Sequence, residues 1–205
     1  ITDKTGTITE GKPSVEKVVS TTNDKEKVLQ FIASLNQYSE HSLAEAVVNY
    51  AKSKNIKLSE VKDFENVTGK GDFGTVDGKK VALGNKKLME QTKANIDTAI
   101  ENSIIEEQKL GKTVSYIAID NTVVGFVCIT DAIKSSSVAA IKELMNQGVE
   151  VIMMTGDNEN TARAVADQLG LSAFKAGCLP EDKLNEIKKL QAQAKIVAMA
   201  GDGIN

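Results

Sequence analysis

Three short segments of this 205-residue chain set carboxylates, hydroxyls and glycines side by side: Asp3-Lys4-Thr5-Gly6-Thr7, Thr155-Gly156-Asp157 and Gly201-Asp202-Gly203-Ile204-Asn205. That combination suits phosphoryl chemistry. One carboxylate can attack phosphorus and a second can hold Mg2+, while hydroxyl and backbone N–H groups cradle the equatorial oxygens. Lys183, following Leu179-Pro180-Glu181-Asp182, can add a positive charge. Singly, each piece has an ordinary explanation: an Asp at a strand end is usually a cap or turn residue, and Thr-Gly-Asp or Gly-Asp-Gly is common turn vocabulary. Their weight comes from where the surrounding elements put them.

From about Val123 the pattern alternates apolar strands with amphipathic helices. Val123–Ile129, Val149–Met154 and Lys195–Ala200 read as strands. Val138, Ile141, Leu144 and Met145 mark a helix stopped by Gly148, and Ala162, Val165, Ala166 and Leu169 mark one ended by Gly170. Pro180 opens a third, ahead of Leu184, Ile187 and Leu190. Strict alternation implies right-handed crossovers and a parallel sheet. The three reactive segments then fall at strand C-terminal ends, the edge where such sheets bind ligands.

The middle reads as α+β with mainly antiparallel pairing. Val28, Phe31, Ile32 and Leu35 give one helix face, and Leu43, Val47, Tyr50 and Ala51 another. Asp77-Gly78 is a hairpin signal, and Val114–Val123 reads as strand, tight turn and strand. The strand-like Ile1-Thr2 belongs with the C-terminal half. The expected architecture is therefore a discontinuous parallel-sheet domain, residues 1–11 plus 124–205, interrupted by an inserted domain, 12–123.

Bulk properties agree with a globular chain. Hydrophobic residues make up 41%, aromatics 4%, and the net charge is −3, so no basic field points to nucleic acid. Cys128 and Cys178 belong to no metal-ligand spacing and read as small hydrophobes. No run reaches the ~20 apolar residues of a membrane span. The chain opens at Ile1, two residues before one reactive segment, and closes on another, so it reads as an excised fragment.

Asp3-Lys4-Thr5-Gly6-Thr7-Ile8-Thr9-Glu10-Gly11 resembles the signature of P-type ATPases, and the Thr155 and Gly201 segments resemble that family's other hallmarks in the same order. The resemblance covers nearly the whole chain. It implies a haloacid dehalogenase-like phosphorylation domain with a nucleotide-binding domain inserted in it. Residue by residue, it implies Asp3 as the phosphorylated nucleophile, and Asp3, Asp202 and the Thr5 carbonyl as Mg2+ ligands. Thr155 and Lys183 would partner phosphate oxygens, Thr7 and Gly156 would shape the loops, and Lys4 and Asp157 complete the catalytic set. Soluble phosphatases of this fold carry a second Asp two residues after the nucleophile. Here Thr5 stands there, and without a base the aspartyl phosphate should be long-lived.

The inserted domain carries Ser39-Glu40-His41-Ser42-Leu43-Ala44, Gly69-Lys70-Gly71-Asp72 and Gly84-Asn85. These resemble the nucleotide pocket of heavy-metal-transporting P-type ATPases, copper exporters above all. By that resemblance Glu40 and His41 contact adenine, Gly69 and Gly71 let the protein backbone approach the nucleotide, and Gly84 and Asn85 complete the pocket. Ser42 replaces the usual Pro, and Asp72 replaces a small apolar residue, bringing a like charge toward the triphosphate. The implied cofactors and partners are ATP and Mg2+, a heavy-metal ion bound by membrane helices outside this chain, and a separate actuator domain. The implied location is the cytoplasmic face of a membrane. A soluble phosphatase with a cap domain and a catalytically silent nucleotide-binding module are the alternatives.

Overall fold

The computed structural model describes residues 1–203. Along the chain come β1 (Thr2–Asp3), a wide turn over Lys4–Ile8, β2 (Ser14–Ser20), α1 (Lys25–Asn36), α2 (Ser42–Ser53), β3 (Val61–Val67), β4 (Gly71–Val76) and β5 (Lys79–Gly84). Then follow α3 (Lys86–Gln91), α4 (Thr98–Lys109), β6 (Thr113–Ile119), β7 (Thr122–Thr130), α5 (Ser135–Asn146), β8 (Ile152–Met154), α6 (Glu159–Leu169), β9 (Ala173–Lys175) and α7 (Pro180–Ala192). They form two compact units. One comprises Ile1–Lys12, Gln108–Gly111 and everything from Asp131 onward; the other comprises Pro13–Glu107 and Lys112–Thr130.

The first unit is built on a parallel sheet ordered β1-β8-β9, with Asp3 level with Met154. The Lys195–Ala200 stretch, expected as a strand, joins β1 through a single parallel bridge, Thr2 with Ala200. Ala200 accepts from the Asp3 N–H and donates to the Ile1 carbonyl, at 2.9 and 3.0 Å. Met153 packs on one face with Ala162, Val165, Ala166 and Leu169 of α6. Ile152 and Met154 pack on the other with Leu190 of α7. Gly170 takes the left-handed C-cap that ends α6, at φ 69°. Of the expected α5 face only Ile141 is buried; Val138, Leu144 and Met145 stand exposed. Spacing marks a face that can be buried, and it does not supply the partner.

The second unit is a six-stranded antiparallel sheet, β2-β7-β6-β5-β4-β3. Phe31, Ile32 and Leu35 of α1 and Val47 of α2 meet Val76, Val81, Leu83, Ile117 and Val127 on one face. Leu88 and Met89 of α3 and Ile104 of α4 meet Ala82, Tyr116, Ala118 and Phe126 on the other. Both expected hairpins form: Asp77 and Gly78 have φ 49° and 75°, and Asp120 and Asn121 have 47° and 62°. Two successive positive φ values give the turn whose twist suits a hairpin.

The structure corrects one placement. Val123–Ile129 lies within β7, paired with β2 and β6, and not in the parallel sheet, so the second crossing falls at Thr130–Asp131, not at residue 124. The segment is covered on both faces in its antiparallel sheet, and an apolar run of strand length reads alike in either sheet type. The tight turn at Asp120-Asn121 ties it to its neighbour β6.

Glu107 ties this unit together through charge. Its carboxylate accepts from Lys112 at 2.8 Å and Lys17 at 2.6 Å, and Lys112 also reaches Glu16 at 2.6 Å. The hydrogen bonds from Lys112 and Lys17 hold the Glu107 carboxyl below its ordinary value of 4.5. A depressed carboxylate contributes stability that is present above its unfolded value and lost as pH falls through its folded one. Glu107→Gln should therefore lower the urea midpoint at pH 7, and the gap to wild type should close on acidification below about pH 4.

Candidate functional site

Asp3 ends β1 and is buried, at 9% exposure. Its Oδ1 accepts from the Lys4 backbone N–H at 2.8 Å, and its Oδ2 pairs with Lys183 Nζ at 2.8 Å. Lys183 gets there because Pro180 starts α7 one turn earlier, with Asp182 accepting from the Leu179 N–H at 2.8 Å. One carboxylate thus meets a backbone donor and an ammonium.

Lys4 turns inward. Its ammonium pairs with Asp157 Oδ2 at 2.7 Å, with the two side chains only 7% and 10% exposed. Asp157 accepts from the Thr155 hydroxyl at 3.2 Å, and its backbone N–H donates back to that oxygen at 3.1 Å. Thr155 is held in turn by Lys175 and Cys178: its N–H donates to the Lys175 carbonyl and its carbonyl accepts from Cys178. Lys4 and Asp157 therefore join the end of β1 to the Thr155-Gly156-Asp157 loop. Gly156 follows Thr155 in that loop.

Between Asp3 and Thr9 the chain makes a wide turn in which Thr5 leaves helical geometry and Gly6 takes φ 73°. A Cβ on Gly6 would lie 2.2 Å from Asp202 Oδ2. The loop carrying Asp202 thus closes on the turn only because residue 6 has no side chain. Ile204 and Asn205 lie outside the described residues. Thr7 Oγ1 is buried without a hydrogen-bond partner.

Sequence reasoning missed the clamp on this turn. Lys134 Nζ donates to the Gly6 carbonyl at 2.7 Å, and Ser137 Oγ donates to the Ile8 carbonyl at 2.9 Å. Asp131 accepts from the Thr9 hydroxyl at 2.6 Å and the Lys12 N–H at 3.1 Å. The available signal was the one used elsewhere: Asp131 directly follows an apolar strand.

In the second unit, Gly69, Gly71, Gly84 and Asn85 meet where β3 turns into β4 and β5 runs into α3, and Glu40 and His41 directly precede α2. His41 is the N-cap of α2, its Nδ1 accepting from the Leu43 N–H at 3.2 Å, and Ser42 is the first helical residue. The helix thus starts without the proline. Tyr38 packs against Phe64 of β3 with ring centroids 5.8 Å apart, and Ser39, Glu40 and His41 follow it. Asn85 donates to the Gly69 carbonyl at 2.8 Å and caps α3 through Leu88. Gly71 and Gly84 face one another across β4 and β5. A Cβ on Gly71 would meet the Leu83 carbonyl at 2.3 Å, and one on Gly84 the Lys70 carbonyl at 2.2 Å. Those two glycines are thus already required by the sheet's own close approach. Asp72 is buried and hydrogen-bonded by Asn66.

Among the described residues no group of three His, Cys, Asp or Glu could hold a metal ion, and no helix is long and apolar enough to cross a membrane. Cys128 is wholly buried, its thiol pushed up to about 12 by desolvation.

The model of haloacid dehalogenase-like hydrolases matches residues 1–205. The chain belongs to that family. Within the haloacid dehalogenase-like hydrolases, it is 43% identical over all 205 residues to the copper-exporting P-type ATPase of Staphylococcus saprophyticus subsp. saprophyticus. It spans 25% of that protein's length. Among solved structures it resembles the catalytic domain of the CPx-ATPase CopB-B, with TM-score 0.76, 27% identity, and 99% of this chain and 70% of that one covered. It also resembles a zinc-transporting PIB-type ATPase, with TM-score 0.62, 34% identity, and 99% and 32% covered.

Breaking the Lys4–Asp157 pair should be costly, because both charges are withdrawn from water. Lys4→Met is expected to lower unfolding stability by about 3 kcal/mol. Adding Asp157→Asn should cost less than the sum of the single changes, a non-additivity read by denaturant titration of all four proteins.

Proposed function

We propose that this chain is the ATP-binding, autophosphorylating catalytic part of a copper-transporting P-type ATPase, with Asp3 as phosphoryl acceptor. The observation that carries the reading is a buried Asp3 carboxylate, held by the Lys4 N–H and Lys183, with no carboxylate two residues on at Thr5. ATP binds the second unit through Glu40, His41 and the Gly69–Gly71 and Gly84-Asn85 loops. An Asp3 oxygen then forms a bond to the γ-phosphorus as the bond to the β,γ-bridging oxygen breaks, and ADP leaves with that electron pair. Lys183 and Thr155 offset charge on the phosphoryl oxygens. Lys4 and Asp157 hold the two loops in register.

The donor set fits Mg2+. Asp3, Asp202 and the Thr5 carbonyl are hard oxygens, and too few to displace all the water that Mg2+ retains. The Gly6 position, which a Cβ would fill, lets Asp202 reach the turn. These three groups would hold the ion, which when bound neutralises developing charge on the transferring phosphoryl group.

Thr5 offers no base to activate water, so the acyl phosphate waits. That suits a pump, in which a separate actuator domain triggers hydrolysis and membrane helices carry the ion. The chain then sits at the cytoplasmic face. Copper as cargo is supported by relatives 42–43% identical over the full chain.

The test uses γ-labelled ATP with Mg2+, acid quench and gel autoradiography. Wild type should retain label that hydroxylamine releases, and Asp3→Asn should retain none. Thr5→Asp supplies a carboxylate at the missing position and should shorten the phosphoenzyme lifetime at least tenfold. Label independent of Asp3, or rapid turnover of generic phosphate esters by wild type, would favour a soluble phosphatase.

A further inference from the structure

Residue 72 lies on the α1-facing side of β4, where Asp72, Gly74 and Val76 alternate as buried positions. Val76 on that face belongs to the core with Leu83 and Val81. Asp72 is 5% exposed. A carboxylate there is costly unless hydrogen-bonded. Asn66, its partner in register across β3, donates Nδ2 to Asp72 Oδ1 at 2.6 Å. That is one neutral donor for a group with about four acceptor sites.

The surroundings are those of the candidate nucleotide loops. Asp72 follows Gly71 and lies opposite Leu83, beside Gly84. Phe64, two residues before Asn66 on β3, packs against Tyr38, which leads into Glu40 and His41. A triphosphate has no reason to approach a second anion. What suits this carboxylate is the donor end of a nucleotide.

We propose that Asp72 is a specificity-determining residue whose carboxylate accepts a hydrogen bond from the 6-amino group of adenine. Asn66 keeps the carboxylate oriented, and the site then selects adenine nucleotides over purine nucleotides without that donor. The inference rests on the reading that the nucleotide binds at His41.

The experiment is calorimetric titration of the chain with ADP, purine riboside 5′-diphosphate and 2′-deoxy-ADP; diphosphates carry no γ-group and leave Asp3 unmodified. Wild type should bind ADP at least tenfold more tightly than purine riboside diphosphate, as a hydrogen bond to a charged group implies. Asp72→Val, a β-favouring apolar replacement, should bring that ratio close to one. Asp72→Asn keeps the side-chain shape, loses the charge, and should lower the ratio about threefold or more. An unchanged ratio in both variants, with ADP binding intact and abolished by His41→Ala, overturns the inference and leaves the site reading standing. Discrimination that falls on 2′-deoxy-ADP instead also overturns it. ADP binding that is absent, or that ignores His41→Ala, sinks the site reading and this inference with it.

Discussion

The first unit depends on one constraint: a carboxylate largely removed from water must keep hydrogen-bond and charge partners for its oxygens. Asp3 meets it by standing at the end of a strand, where the next residue's N–H turns toward one oxygen and Lys183 reaches the other. Burial without those partners would be costly for a charged group. The β1–β8 pairing, the Pro180 helix start and the inward Lys4–Asp157 pair all follow from holding those two donors in place. Lys4 is instructive: its backbone N–H serves Asp3, whereas its ammonium pairs with Asp157.

The second unit meets a different constraint, the close approach of two neighbouring strands. Gly71 and Gly84 permit a backbone approach that a Cβ would block, and Asn85 ties the Gly69 carbonyl to the start of α3. The strand ends thereby hold the turn between β3 and β4 against the start of α3. His41 likewise fixes a helix start, its Nδ1 accepting from the Leu43 N–H to cap α2.

Much of this was legible in the sequence because it is local. Hairpin turns at Asp77-Gly78 and Asp120-Asn121, helix stops such as Gly170 and the strand-end position of Asp3 are set by neighbouring residues. What escaped is what depends on partners. The run Val123–Ile129 does not say which sheet claims it, and β9, at three residues, is too short to show a period. The Lys134 clamp on Gly6 joins residues 128 positions apart, a contact that no single stretch encodes. Asp72 read as a misplaced charge until Asn66 stood across from it.

The pairing of β2 with β7 has a consequence for synthesis. Ser14 and Thr130 are opposite one another, so the inserted unit has its two ends together and every strand of its sheet in hand once residue 130 has emerged. The parallel sheet has by then only β1, whose partners around Met153 and Ala200 are yet to be made. On a ribosome, where segments become available N-terminal first, the insertion can be complete before its host begins to close. The host then closes a loop whose interior is already compact and whose ends are already neighbours, which lowers the entropic cost of bringing Thr2 to Met153 well below that of a flexible chain of the same length.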